Sequence, residues 1–284
     1  MNRIVIKSPA KINIGLNIIR KREDGFHDLE TIFYPLLLSD EIEMEKADSF
    51  RFESNSKLLI QINNNLIIRS KEILEKFSGK KFNVKVFLEK RIPIGAGLGG
   101  GSSNAAATLK ALIKLFNLKI QRNDLYDLAL KLGSDVPFFL NPLPCFAESR
   151  GEIITPVHLQ IANPILIVNP GIHISTKEAF EKVKPKKVKQ SLKSLINKSA
   201  VSVSDLKSIA KNDFENYVFK TYPEIKEIKK ELVASGAELA MMTGTGSTVF
   251  GIFTNLQKAR SAKYIFEKDY FTYLNYPVNK GSIT

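Results

Sequence analysis

A chain of 284 residues, 44% hydrophobic and 25% charged, falls in the range of ordinary soluble globular proteins and can bury one large core or two smaller ones. No stretch approaches the roughly 18 consecutive apolar residues of a membrane span, and Arg3, Lys7 and Lys11 interrupt the first segment, so neither a signal peptide nor an anchor is expected. The single cysteine, Cys145, excludes an internal disulfide, and His27, His158 and His173 lie too far apart for a local metal-ligand pattern; a cytoplasmic location is the expectation.

The formal charge of +13 permits a basic RNA-binding protein, because lysine and arginine release counterions from a phosphate backbone. The charge is unevenly spread. Many lysines fall between Lys177 and Lys211, notably Lys182, Lys184, Lys186, Lys187 and Lys189, and a solvated or mobile stretch accounts for them. A basic balance also suits ligands that carry several phosphates.

In chain order, Ile12, Ile14, Leu16 and Ile18 alternate with Asn13, Gly15 and Asn17, the period of a strand with one buried face, until Glu23-Asp24-Gly25 breaks it. Strands are also expected at Glu41–Glu45 and Val84–Leu88, with a helix between them over Leu66–Phe77, closed by Ser78-Gly79. A glycine-rich loop from Gly95 to Gly101 delivers a helix over Ser102–Phe116, with Ala105, Leu109, Leu112, Ile113 and Phe116 at helical spacing. Asp124–Leu132 reads as a helix capped by Asn123 and ended by Gly133. Beyond about residue 158 the texture changes to an α+β half. Its expected elements are a strand over Ile165–Val168, a helix from Thr176, a helix over Tyr222–Ser235 with Pro223 in its first turn, a strand over Thr248–Phe253, a helix over Leu256–Lys268 and a last strand over Thr272–Tyr276. The division expected is therefore 1–158 and 159–284.

The segment Pro93, Ile94, Gly95, Ala96, Gly97, Leu98, Gly99, Gly100, Gly101, Ser102, Ser103 and Asn104 joins a side-chain-poor backbone to a helix start. Successive N–H groups can then face one concavity at the positive end of a helix dipole, a surface that attracts phosphate. A Walker A loop is excluded, since Gly101 is followed by Ser102 and Ser103 rather than by lysine. Gly95, Gly97 and Gly100 satisfy the dinucleotide fingerprint, yet no acidic residue lies between Leu112 and Asn123, where that site wants one.

Three separated segments, Ser8 to Asn13, Pro93 to Ala106 and Thr243 to Ser247, together resemble the three motifs of the GHMP kinases, in order and in approximate position. The triple glycine Gly99-Gly100-Gly101, Asp24-Gly25-Phe26-His27 and Gly133 to Phe139 are similar to the branch that acts on cytidine-diphospho-methylerythritol. The resemblance implies an α+β fold of two domains, an N-terminal one like the second domain of ribosomal protein S5 and a ferredoxin-like C-terminal one, with the active site in the cleft between them. It further implies ATP as phosphoryl donor, magnesium, and an alcohol acceptor, the 2-hydroxyl of the methylerythritol unit. A homoserine, mevalonate or sugar kinase of the same family is the alternative.

Carried residue by residue, the resemblance makes Asp135 the group that readies the hydroxyl and Lys11 its cationic partner. By themselves, Asp135 reads as a turn former and Lys11 as an exposed strand lysine. The nucleotide would lie along Pro93 to Asn104, with Asn65 near the adenine, although a helix cap explains Asn65 equally well. Phe26, His27 and Phe180 are implied at the cytidine end, with Phe33, Asn13, Gly244 and Gly246 near the substrate; Phe33 and Phe180 also read as core. Phe26 stands where the family often has tyrosine, and Ala96 where it commonly has glycine. Ser102 and Ser103 are candidates for the metal, and no magnesium ligand is assigned. No nucleic-acid, membrane or obligate protein partner is expected.

Overall fold

The computed structural model describes residues 1–60, 65–186, 188 and 190–276, so Lys187 and Lys189 of the lysine-rich stretch lie outside the described residues. It divides into two compact units, one of Met1–Ala10, Leu38–Ile94 and Gly99–Pro142, the other of Lys11–Leu37, Gly95–Leu98 and Leu143–Thr284. The strands β1 (Arg3–Lys21) and β2 (His27–Lys46) pair and contribute to both. Their turn falls at the expected breaker, with the Arg22 amide donating to the Phe26 carbonyl at 2.8 Å.

The first unit adds β3 (Arg51–Ser54), α1 (Lys57–Ile60), α2 (Leu66–Ser78), β4 (Val84–Glu89), α3 (Gly100–Leu115), α4 (Arg122–Leu132) and α5 (Val136–Leu140). β4 runs antiparallel to β2, with Ile42 opposite Leu88 and Met44 opposite Val86, and β3 lies parallel to β4. Alternate residues of β4 are buried, as its period of two requires. Gly79 ends α2 in the left-handed conformation, φ 67°, where only glycine is free of a Cβ penalty. α3 packs on α2, α4 and α5, so Ala105 to Leu109 are buried on every side instead of along one stripe. Small side chains let three helices approach that closely. Asn123 is not the cap of α4. That helix begins one residue earlier, and Gln121 precedes it without a side-chain hydrogen bond.

The second unit adds β5 (Cys145–Ser149), β6 (Ile153–Pro156), β7 (Ile165–Asn169), α6 (Thr176–Lys182), α7 (Val203–Ile209), α8 (Glu215–Thr221), α9 (Pro223–Ala234), β8 (Ala237–Met242), β9 (Val249–Phe253), α10 (Leu256–Phe266) and β10 (Phe271–Asn275). β7 to β10 form an antiparallel sheet in the order β10-β7-β9-β8, the ferredoxin-like arrangement expected for the C-terminal half. α9 and α10 pack on this sheet over a core that includes Leu166, Phe214, Ile225, Leu232, Val249 and Phe253. β5 pairs with both β2 and β6.

β1 departs from the one-faced strand expected. Ala10 to Ile18 are buried on both faces, because the polar side is closed by partners: Asn13 Nδ2 donates to Thr31 Oγ1 at 3.1 Å and Asn17 Nδ2 to Glu30 Oε1 at 2.9 Å. Glu30 also accepts from Ser191 Oγ at 2.5 Å and from the Leu192 amide at 3.0 Å, so one buried carboxylate seizes the start of a 3₁₀ turn, Leu192–Leu195, inside the lysine-rich stretch. Lys182, Lys184 and Lys186 are exposed there while Leu192, Leu195 and Leu206 are buried; the lysines are the solvated side of a folded segment. Glu30→Ala strips three buried donors of their acceptor. The expected outcome is a loss of about 1–3 kcal/mol in denaturant unfolding, with trypsin cleavage between residues 182 and 198 rising several-fold over the parent protein.

Candidate active site

The glycine-rich loop turns at three alternating glycines, Gly95, Gly97 and Gly99, with φ of 65°, 77° and 71°. Ala96 and Leu98 between them point inward, 4% and 1% exposed, and hold the loop down. Ala96 is not among the described residues with positive φ, so its methyl group creates no strain in place of glycine. α3 starts at Gly100 with no side-chain cap, which leaves the first-turn amides of Gly100, Gly101 and Ser102 without intrahelical acceptors. The dipole of this sixteen-residue helix adds partial positive charge at that end.

A carboxylate outside all of the motifs holds this loop in place. Asp40 is completely buried; its Oδ1 accepts from the amides of Arg91 and Ile92, both at 2.8 Å, and its Oδ2 accepts from Asn104 Nδ2 at 2.9 Å and from Lys90 Nζ. The strand before the loop and the helix after it are thereby tied to one side chain. Asn104 Nδ2 also donates to Ser8 Oγ at 2.9 Å, and Ser8 Oγ to Ser103 Oγ at 2.8 Å, which joins the first motif to the second. Burial pushes the Lys90 ammonium below the usual lysine range, and the Asp40 charge opposes it. An added Cβ at Gly100 would lie 2.9 Å from Lys90 Nζ, so the helix starts on glycine to make room for this ion pair.

In the second unit three motifs converge. Lys11 Nζ donates to Asn13 Oδ1 at 2.6 Å and lies 5.0 Å from the centroid of the Phe33 ring; Lys11 is 4% exposed, so it is no ordinary surface lysine. The Lys11 amide donates to the Leu98 carbonyl at 3.0 Å. The Asn13 amide donates to Thr243 Oγ1 at 2.9 Å, and Thr243 Oγ1 donates to the Gly97 carbonyl at 3.2 Å. A Cβ on Gly97 would stand 2.3 Å from the Thr243 carbonyl oxygen, and one on Gly244 would stand 3.2 Å from the backbone of Gly97. These glycines are where two turns touch. Asn212 Nδ2 fixes the second turn by donating to the carbonyls of Met242 and Gly244 at 2.7 and 2.8 Å.

An aromatic group lies in the same unit. The His27 and Phe180 ring centroids are 5.3 Å apart, and Phe180 meets Phe214 edge-on at 4.9 Å. Burial, with help from Lys21, holds the His27 imidazolium below the usual range, so the ring is neutral at neutral pH. Phe33 is core, 2% exposed, and Phe26 is 52% exposed.

The remaining expected residues belong to the first unit. Asn65 is the cap of α2, its Oδ1 accepting from the Ile67 amide at 2.9 Å, and it is 7% exposed. Asp135 is half-buried at the N-terminus of α5, where its side chain makes no capping bond. Lys110 Nζ steadies the other end of α5 by donating to the carbonyls of Phe139 and Leu140 at 3.2 and 3.4 Å.

Comparisons with known proteins agree with this geometry. The family model described as GHMP kinases N terminal domain matches residues 65–141, and that described as GHMP kinases C terminal matches residues 185–271. The chain belongs to the GHMP kinase family. A 4-diphosphocytidyl-2-C-methyl-D-erythritol kinase of Bacteroides fragilis is 42% identical over 258 residues, covering 88% of this chain and 92% of its own. Its counterpart in Chlorobium phaeobacteroides is 38% identical over 284 residues, 98% of each chain. A crystal structure of 4-(cytidine 5'-diphospho)-2C-methyl-D-erythritol kinase superposes with a TM-score of 0.81 at 31% identity, covering 96% of this chain and 98% of that one. Within the family the chain therefore sits in the branch that carries this name. A homoserine kinase of Cytophaga hutchinsonii, 17% identical with a TM-score of 0.74, shares the fold.

Removing the Asp40 charge tests the loop's support. Asp40→Asn leaves Lys90 buried without its counter-charge, and the expected loss is about 3–5 kcal/mol in denaturant unfolding. Where the variant remains folded, KM for ATP is expected to rise more than KM for the acceptor.

Proposed function

We propose that the protein transfers the γ-phosphoryl group of ATP to the 2-hydroxyl of 4-(cytidine 5'-diphospho)-2-C-methyl-D-erythritol. The observation that carries this reading is the joining of Lys11, Asn13, Gly97 and Thr243, drawn from three distant motifs, in one hydrogen-bonded cluster beside a glycine loop that opens a helix. A basic RNA-binding protein has no use for a buried lysine in such a cluster. Relatives named for the cytidylyl substrate at 36–42% identity favour it over homoserine or mevalonate, whose kinases match at 17% identity in fold alone.

Phosphoryl transfer asks the protein to align an oxygen with the γ-phosphorus and to stabilise charge on the group in flight. The loop amides from Gly95 to Ser102 supply donors for the phosphates. Asp135 accepts or orients the proton of the acceptor hydroxyl, and the Lys11 ammonium, aimed by Asn13, attracts the oxygen that becomes anionic as the proton leaves. Neutral His27 exchanges hydrogen bonds with the cytosine edge, and Phe26 and Phe180 offer ring faces to it.

Magnesium fits as an ion carried by the phosphates. Among the described residues no three acidic, histidine or cysteine side chains cluster to cage a metal, and Ser103 Oγ is already bonded to Ser8, which leaves the Ser102 hydroxyl as the ligand this chain adds. An ion held there would supply positive charge to offset the negative charge of the phosphates. Also among the described residues, no helix is long and apolar enough to cross a membrane.

Assays with ATP, magnesium and the cytidylyl alcohol, beside homoserine and mevalonate, test the assignment; phosphorylation of the cytidylyl alcohol alone is expected. Asp135→Asn and Lys11→Ala are expected to lower kcat by about 10²–10⁴-fold with thermal unfolding little changed for Asp135→Asn, and near-normal turnover in either would end their assignment. The depressed His27 pKa also gives a sign. KM for the cytidylyl substrate is expected to stay flat above about pH 6.5 and to rise as acid protonates the imidazole, while His27→Gln removes that rise.

A further inference from the structure

The Phe26 ring is half exposed, yet it is not left to rotate freely. The Arg150 guanidinium lies over one face, 4.8 Å from the ring centroid. Phe26 lacks the phenol hydroxyl that would anchor a tyrosine at this position, so any fixing of the ring has to come through its faces and its backbone. The backbone is held, since the Phe26 amide donates to Asp24 Oδ1 at 3.1 Å and Asp24 is paired with Arg22.

Arg150 is itself a built feature. It sits at the tip of the β5–β6 hairpin, between Ser149, which adopts φ 63° although it is not glycine, and Gly151 at φ 101°. Glu152 closes this turn: Oε2 accepts from the Arg150 amide at 2.7 Å, Oε1 accepts from Ser149 Oγ at 3.1 Å, and Oε1 lies 3.6 Å from Arg150 Nε. Arg22 Nη1 donates to Ser149 Oγ at 3.0 Å, so the turn that carries Phe26 and the turn that carries Arg150 share an arginine. A non-glycine residue in the left-handed region costs free energy and persists where the surroundings over-determine it. Here the outcome of that strain is a guanidinium laid on an aromatic face.

We infer that Arg150 is a positioning residue for the acceptor substrate: it holds the Phe26 ring from one side by a cation–π contact, so that the opposite face is presented, ordered, to the pyrimidine. This rests on Phe26 as a stacking platform for the cytidine end. The guanidinium steadies the ring by stacking on it. It touches neither the transferred phosphoryl group nor the acceptor hydroxyl, and acts only through the ring.

Steady-state kinetics of the full-length enzyme in Arg150→Ala, Arg150→Lys, Phe26→Ala and the Arg150→Ala/Phe26→Ala pair test it. Arg150→Ala is expected to raise KM for the cytidylyl substrate about three- to five-fold, the size of a cation–π contact at a partly exposed site, while kcat and KM for ATP stay within about two-fold of the parent. Arg150→Lys, which keeps a cation over the ring, restores most of the loss, and Arg150→Ala adds nothing once Phe26 is alanine. An unchanged KM in Arg150→Ala while Phe26→Ala raises it overturns the role of Arg150 alone. That role is equally overturned if the two losses simply multiply in the double variant, or if kcat or KM for ATP changes along with the KM effect. No KM change in Phe26→Ala overturns the stacking platform itself, and the inference with it.

Discussion

Asp40 has no exposed surface and four donors aimed at its two oxygens, and both flanks of the glycine-rich loop are tied to that one side chain. Two of the donors are consecutive backbone amides at the loop's entry and one is a side chain at the start of α3. A carboxylate stripped of water has to find such donors, because an unsatisfied buried charge costs several kcal/mol. Its counter-charge, Lys90, is then buried too, and a Cβ on the first residue of the helix above it would stand 2.9 Å from Nζ, so that the lysine would have to shift. The glycine at position 100 thus leaves room for the ion pair beneath it.

In the second unit the corresponding constraint is Thr243. Its hydroxyl takes the Asn13 amide and gives to the Gly97 carbonyl, so a single oxygen sets the spacing of three chain segments. Asn13 in turn aims Lys11. Lys11 is 4% exposed, and a lysine with so little water around it interacts with an opposite charge more strongly than an exposed one such as Lys182 or Lys184. Net charge therefore says little about this site, since Lys11 meets it through its position and not through the number of basic residues in the chain.

The motif residues and the helices with strong caps or stops are legible in the sequence. Gly79 ends α2, Pro223 opens α9 and the loop delivers α3 as expected. Strands are harder to read. β2 runs for twenty residues, yet Pro35 and the unbroken Leu36-Leu37-Leu38 disguise its middle, and only the alternation near its end is plain. β5 and β6 are short and β8 is buried at nearly every position, so none shows a period of two. Asp40 does carry a signal, though a faint one. Leu38, Asp40, Ile42 and Met44 are alternate residues of one strand, which puts the aspartate on the inward face with three apolar neighbours. An acidic residue in that register has to be paired. Its partner is hidden within Glu89-Lys90-Arg91, since nothing local tells which of three adjacent charges turns inward.

The supports that sequence motifs do not mark share a physical character. Asp40, Lys90, Lys110, Asn212 and Glu30 bond to backbone or to buried side chains at long chain separation, and their partners become visible only when the fold brings them together. The family resemblance assigns the motif residues to a ligand; these residues face the protein and are restricted by the need to leave no buried polar atom unpaired, a condition met throughout the described side chains. The two restrictions meet at the glycines. The resemblance puts Gly97 and Gly100 in the nucleotide loop, and an added Cβ at either would also press on a protein atom, the Thr243 carbonyl or the Lys90 ammonium. Ala96, one residue from Gly97, is not among the described residues with positive φ, whereas Gly97 has φ 77° and a Cβ there would stand 2.3 Å from the Thr243 carbonyl oxygen, so the loop has a place for alanine at 96 and none at 97.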